Sequence, residues 1–146
     1  MGFINVWGFI FMIIMMLPNL IFAYRHPEGF DNLYHQPVIE LFEQIGRFGC
    51  FSTMIINVPY TCGDWLFSGA KEFYLTLNII CLSLYCLIWI FSQKSLFQAL
   101  SLSILPSVMF LLSGFLMQSI LLMIFALIFA PCHILISYQN QIRSQQ

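Results

Sequence analysis

An all-α integral membrane bundle of five transmembrane helices is the fold that this sequence predicts, on three observations. The 146 residues are 60% hydrophobic and only 8% charged, with a mean hydropathy of +0.88, whereas about a quarter of a soluble domain is charged. Long apolar runs reach the roughly 20 residues that a helix needs to cross a bilayer. One further stretch, residues 37–58, has that length but carries Glu40, Glu43, Gln44 and Arg47 in its first half. At this size the chain reads as one transmembrane helical domain, 1–146, with no polar stretch long enough for a second.

Residues 2–24 are the first apolar run. Its start has no positive charge, and Ile21-Phe22-Ala23 is a poor small-residue cleavage site, so it reads as a retained helix and not a secretory signal. The loop that follows holds His26, Glu28, Asp31 and His35, whose spacing matches no helical or finger metal motif. A simple turn explains it, and neither a metal nor a cofactor is expected.

Residues 37–58 decide between four and five crossings. Pro37 suits a first helical turn and Pro59 a stop. On a helical wheel Gln36, Glu40, Glu43, Gln44 and Arg47 fall within about 100° of one another. Beyond Arg47 the stripe continues as Phe51, Met54 and Val58, all apolar. An interfacial helix ending near Phe48 would leave an apolar tail too short to cross, so the favoured reading is a full crossing with its polar stripe facing protein or water. The alternative is four crossings plus one interfacial helix.

After this come Tyr60 and Trp65, which suit an interfacial aromatic belt, as do Trp7 and Trp89 near helix ends. Residues 73–91 form another clear run, within which Asn78 reads as helix-packing glue. Residues 96–138 are too long for one crossing, and Ser113-Gly114 is the expected tight turn between two antiparallel helices. Pro106 and Pro131 are expected to kink those helices without ending them. The cysteines, Cys50, Cys62, Cys81, Cys86 and Cys132, show no CxxC or CxxH spacing and read mainly as small packing residues.

Five crossings put Arg25, Lys94 and Arg143 on one side and Lys71 on the other. The positive-inside rule then places the N-terminus outside and the C-terminus in the cytoplasm of a cell membrane. In that topology Asn19, Glu40, Glu43, Gln98 and His133 lie within roughly two turns of the cytoplasmic face, with Arg47 on the order of 15 Å from Pro37. These six residues are the candidate ligand-binding set, because polar side chains at membrane depth turn away from lipid and converge. The ordinary reading of Glu43 and Arg47 is a structural i,i+4 ion pair in the favourable order. Ligand binding ranks second and catalysis third. Two glutamates facing one arginine make the layer net acidic unless His133 is protonated, which leans toward a cationic or proton-coupled ligand.

The segments Leu17-Pro-Asn-Leu-Ile-Phe-Ala23, Phe42-Glu-Gln-Ile-Gly-Arg-Phe-Gly-Cys-Phe51 and Ala130-Pro-Cys-His-Ile-Leu-Ile-Ser-Tyr138 resemble small multi-pass membrane proteins of bacteria. That resemblance implies the architecture and no activity. No nucleophile elbow, P-loop, HExxH or dinucleotide glycine motif is present, so the expectation leans away from an enzyme. The near-zero net charge, without a basic run, points away from nucleic acid. The expected partners are the lipid bilayer and either other membrane helices or further copies of the chain. The expected role is to bind a small ligand or a partner membrane protein, as a transport accessory or immunity-type protein would. A small cation- or proton-coupled transporter or channel subunit is the alternative, and an intramembrane enzyme acting on a lipid headgroup stands behind both.

Overall fold

The structure, a computed structural model, describes residues 2–25, 33–91 and 95–145. Among them are five α-helices and no strand: α1 (Val6–Arg25), α2 (Pro37–Ile55), α3 (Ala70–Ile90), α4 (Leu96–Leu116) and α5 (Ile120–Arg143). Four of these, α1, α3, α4 and α5, are long and apolar enough to cross a membrane, which fits a multi-pass membrane protein. α2 is 19 residues long but less apolar. The candidate metal ligands His26, Glu28 and Asp31 lie outside the described residues, as does Lys94.

The helices close into a ring. α2 packs on α1 and α5, α5 on α4, α4 on α3, and α3 on α1, while α2 also touches α4 across the middle. α2 runs the full height of this ring. At one end, the N end, Asn5 N donates to Ile55 O at 2.8 Å, joining the start of α1 to the finish of α2. At the other, the C end, Tyr34 N donates to Asn140 Oδ1 at 2.8 Å and Arg143 donates to Leu33 O at 2.8 Å. The chain entering α2 is thereby tied to the end of α5.

Several helix limits differ from the expected ones, and backbone pairing is the reason. α1 starts at Val6 because residues 2–5 pair with the segment after α2: Asn57 N donates to Phe3 O at 2.9 Å, and Asn57 Nδ2 to Gly2 O at 2.6 Å. Asn5 then caps α1, its side-chain oxygen accepting from Gly8 N at 3.1 Å. The turn between α4 and α5 falls at Met117 to Ser119, not at Ser113-Gly114. Gln118 takes the left-handed conformation (φ 48°), and Ser119 caps α5 by accepting from Leu122 N. Ser113 and Gly114 stay helical and buried because their small size serves packing. Ser113 Oγ exchanges hydrogen bonds with the Asn78 amide at 3.1 and 3.3 Å, linking α4 to α3. Pro106 and Pro131 lie inside their helices, as expected.

Glycines bring α2 close to both neighbours. A Cβ at Gly46 would lie 2.7 Å from the backbone nitrogen of Phe129 on α5, and one at Gly49 would strike the Phe125 ring. On the other flank a Cβ at Gly8 of α1 would strike the Met54 carbonyl. Such glycine-mediated approach is how helices associate where hydrophobic segregation gives no drive.

Burial is uneven along the bundle axis. Phe11, Met54, Tyr74, Met109, Phe110 and Leu122 fill the N-end half. In the C-end third, none of the described residues 16–25, 33–42, 86–91, 95–102 or 131–145 is buried. The boundary falls at Met15, Glu43, Tyr85, Ser103 and Ala130, one residue from each helix.

The tight α2–α5 contact can be tested. Gly46→Ala is expected to cost about 1–3 kcal/mol, the usual penalty for overpacking, read as a lower thermal unfolding midpoint in detergent. Gly2→Ala, where a Cβ meets nothing nearer than 3.9 Å, should leave the midpoint unchanged.

Candidate functional site

Glu43 is the centre of a cluster of ionisable side chains bonded across helices. One turn before Gly46 on α2, it meets α5 one turn after Phe129, where His133 sits. The antiparallel register set by the glycine contact thus delivers the carboxylate to the imidazole. His133 Nδ1 lies 2.8 Å from Glu43 Oε1. The His133 ring stacks on Phe129 with centroids 4.6 Å apart, which holds the imidazole plane.

The same oxygen accepts from Arg47, at 3.1 Å from Nε and 2.5 Å from Nη2. Arg47 is the i,i+4 neighbour with the acid N-terminal, so helix geometry alone brings the pair together. The three groups differ in exposure. Glu43 is 3% exposed, while the side chains of His133 and Arg47 are 24% and 42% exposed. The carboxylate is enclosed, and the two nitrogen-bearing groups form its accessible side.

Arg47 opens inward. It lies only about 20° around the helix from Met54, seven residues on and fully buried. The outer face of α2 is Leu41, Ile45, Phe48 and Ser52, on the opposite side. Phe48 is 64% exposed there.

The remaining candidates lie around this cluster. Asn19 on α1 donates its amide to Tyr85 Oη at 2.9 Å and to Met15 O at 3.1 Å. Glu40 caps the start of α2, its carboxylate accepting from Gln36 N at 3.2 Å. Gln98 occupies the first turn of α4, its backbone N–H donating to Ser95 Oγ, roughly 7 Å nearer the C end than Ser103 at 1.5 Å per residue. Of the six, Arg47 and His133 are each bonded to Glu43, Asn19 reaches the boundary layer through Tyr85, and Glu40 and Gln98 line the C end.

Sequence reasoning missed Tyr85. The signal was available: Tyr74, Asn78, Cys81 and Tyr85 recur at i, i+4, i+7 and i+11 and are all buried, marking the inner stripe of α3. Cavities at the N end contain none of the candidates. One of about 430 Å³ is lined by Tyr60, Cys62, Gln118 and Ser119, and one of about 400 Å³ by Asp64, Trp65 and Lys71. Among the described residues no group of three or more His, Cys, Asp or Glu side chains is placed to hold a metal ion.

A double-mutant cycle measures the pair. Arg47→Leu should destabilise by about 1–3 kcal/mol. That is below the usual loss for a broken buried pair, because Arg47 is partly exposed and Glu43 keeps His133. Removing both charges, Glu43→Leu with Arg47→Leu, should recover most of this. A coupling energy near zero in detergent unfolding would mean that the two side chains do not act on each other. No protein-family model, curated protein or solved structure matches the chain, so the functional reading rests on this geometry.

Proposed function

We propose that this chain is a five-pass membrane protein, non-catalytic, that binds a small ligand at the layer of Asn19, Glu43, Arg47, Tyr85 and His133. The observation that carries the reading is the contrast between an enclosed carboxylate and a guanidinium left 42% exposed beside it. A purely structural pair would favour burying both partners, since the bilayer interior penalises any charge left open.

The polarity of α2 supports its crossing. An interfacial helix turns its charges to water and its apolar face to the bundle. In α2 Glu43 and Thr53 are buried, while Val38, Leu41, Phe42, Ile45 and Phe48 are exposed. The basic residues Arg25, Lys94 and Arg143 against Lys71 favour a cytoplasmic C-terminus in a cell membrane. A catalytic role is disfavoured because the Glu43 oxygen that would act as a base already accepts from Arg47 and contacts His133. A proton-coupled carrier is the second reading, favoured by the Glu43–His133 contact, since a carboxylate and an imidazole in contact can pass a proton.

Topology is tested in intact cells. Cys62, at the N end, should react with an impermeant maleimide, and a cysteine replacing Ser144 should react only after the cells are opened. The opposite pattern discards this orientation; because only α3, α4 and α5 lie between the two positions, the crossing of α2 is tested by a cysteine replacing His35, which should behave like the Ser144 position and not like Cys62. In proteoliposomes, the proton-coupled reading expects uptake driven by a pH gradient and abolished by Glu43→Gln; binding without transport leaves the first reading.

A further inference from the structure

We propose that Arg47 and His133 form an anion seat, open to the C end, that takes a carboxylate or phosphate group. The inference rests on the ligand-binding reading above and names the ligand's chemistry. A count of charges, two glutamates to one arginine, suggests the contrary. Geometry ranks the groups differently: Glu43 is enclosed with Arg47 and His133 on Oε1, while Glu40 lies nearer the C end and accepts from Gln36 N at the start of its own helix. What an incoming molecule meets at the cluster is the outer side of a guanidinium and an imidazole whose Nδ1 is turned to Glu43, so that the ring donates to an anion through Nε2 in its doubly protonated form.

The donor inventory points the same way. A guanidinium has five N–H groups. Those used lie on Nε and Nη2, and Nη1 makes no hydrogen bond among the described residues. Nη1 and the remaining Nη2 hydrogen form the edge of the fork that matches two oxygens of a carboxylate or phosphate. His133 and Arg47 Nη2 touch the same Glu43 oxygen, so the imidazole stands directly beside that fork. Glu43 behind them holds both groups in place, as a carboxylate does when it orients binding groups without touching the ligand. Arg25 and Arg143, in the last turns of α1 and α5, add positive charge at the same end.

Two sources could supply the anionic group, a soluble molecule or a lipid headgroup, and the experiment separates them. The full-length protein is placed in phosphatidylcholine nanodiscs and its thermal unfolding followed by tryptophan fluorescence. Inorganic phosphate and succinate are titrated in one arm, and phosphatidylglycerol replaces part of the phosphatidylcholine in the other. Sodium chloride at matched ionic strength and Lys71→Gln, at the far end, are the controls. The seat predicts a saturable rise in the unfolding midpoint in at least one arm, identifying the source. Arg47→Gln should weaken it about tenfold or more, the loss expected for a charge-assisted bidentate contact. Arg47→Lys, which keeps the charge but not the fork, should retain part of it, so a folding failure in one variant still leaves a test. No response of the unaltered protein to any of these anions, or a response unaltered in both Arg47 variants, overturns the seat. A Glu43-dependent response to amine cations in place of anions would overturn it while keeping the site itself. Silence toward both classes would remove the ligand-binding reading too.

Discussion

The arrangement depends on one oxygen atom. Glu43 Oε1 accepts from Arg47 within its own helix and contacts His133 across the α2–α5 boundary. A carboxylate buried inside a bundle must be paired, and its burial goes with how α2 is turned. Once Glu43 faces inward, Gly46 and Gly49 come to lie against α5, and Leu41, Ile45 and Phe48 are left outside. The glycine contacts let the two backbones approach closely enough for the Glu43–His133 bond to form, and the bond in turn sets the rotation of α2. Neither the packing nor the polar centre is independent of the other.

Much of the architecture was legible because hydropathy and turn chemistry act locally. The apolar runs, Pro37 as a helix start and the position of Arg47 beside Glu43 all follow from spacing along one helix. The turn before α5 was misplaced because Ser113-Gly114 has two physical uses, chain reversal and close packing, and sequence does not choose between them. Ser119 carried the better signal, as an N-cap ahead of an apolar run. The limits of α1 depended on pairing with residues more than fifty positions away, which no local pattern encodes.

The site was legible in part for the same reason. Glu43 and Arg47 declare themselves by charge, but the sign of the accessible surface does not follow from counting charges. It depends on which groups are covered, and that is a property of packing. Tyr85 was overlooked because a tyrosine in an apolar run looks like an aromatic belt residue, whereas its stripe with Tyr74, Asn78 and Cys81 turns it inward.

The i,i+4 spacing of Glu43 and Arg47 also bears on how such a bundle is made. His133 follows Glu43 by 90 residues, so on the ribosome it emerges on the order of 5–20 s later. In a five-pass bundle α2 must enter the lipid before its cross-helix partner exists. Arg47, made almost at once, lets the segment present itself to the insertion machinery as a neutral pair. In that topology the arginine accompanies the acid through the interval between synthesis and assembly, and α5 adds its histidine when the ring closes.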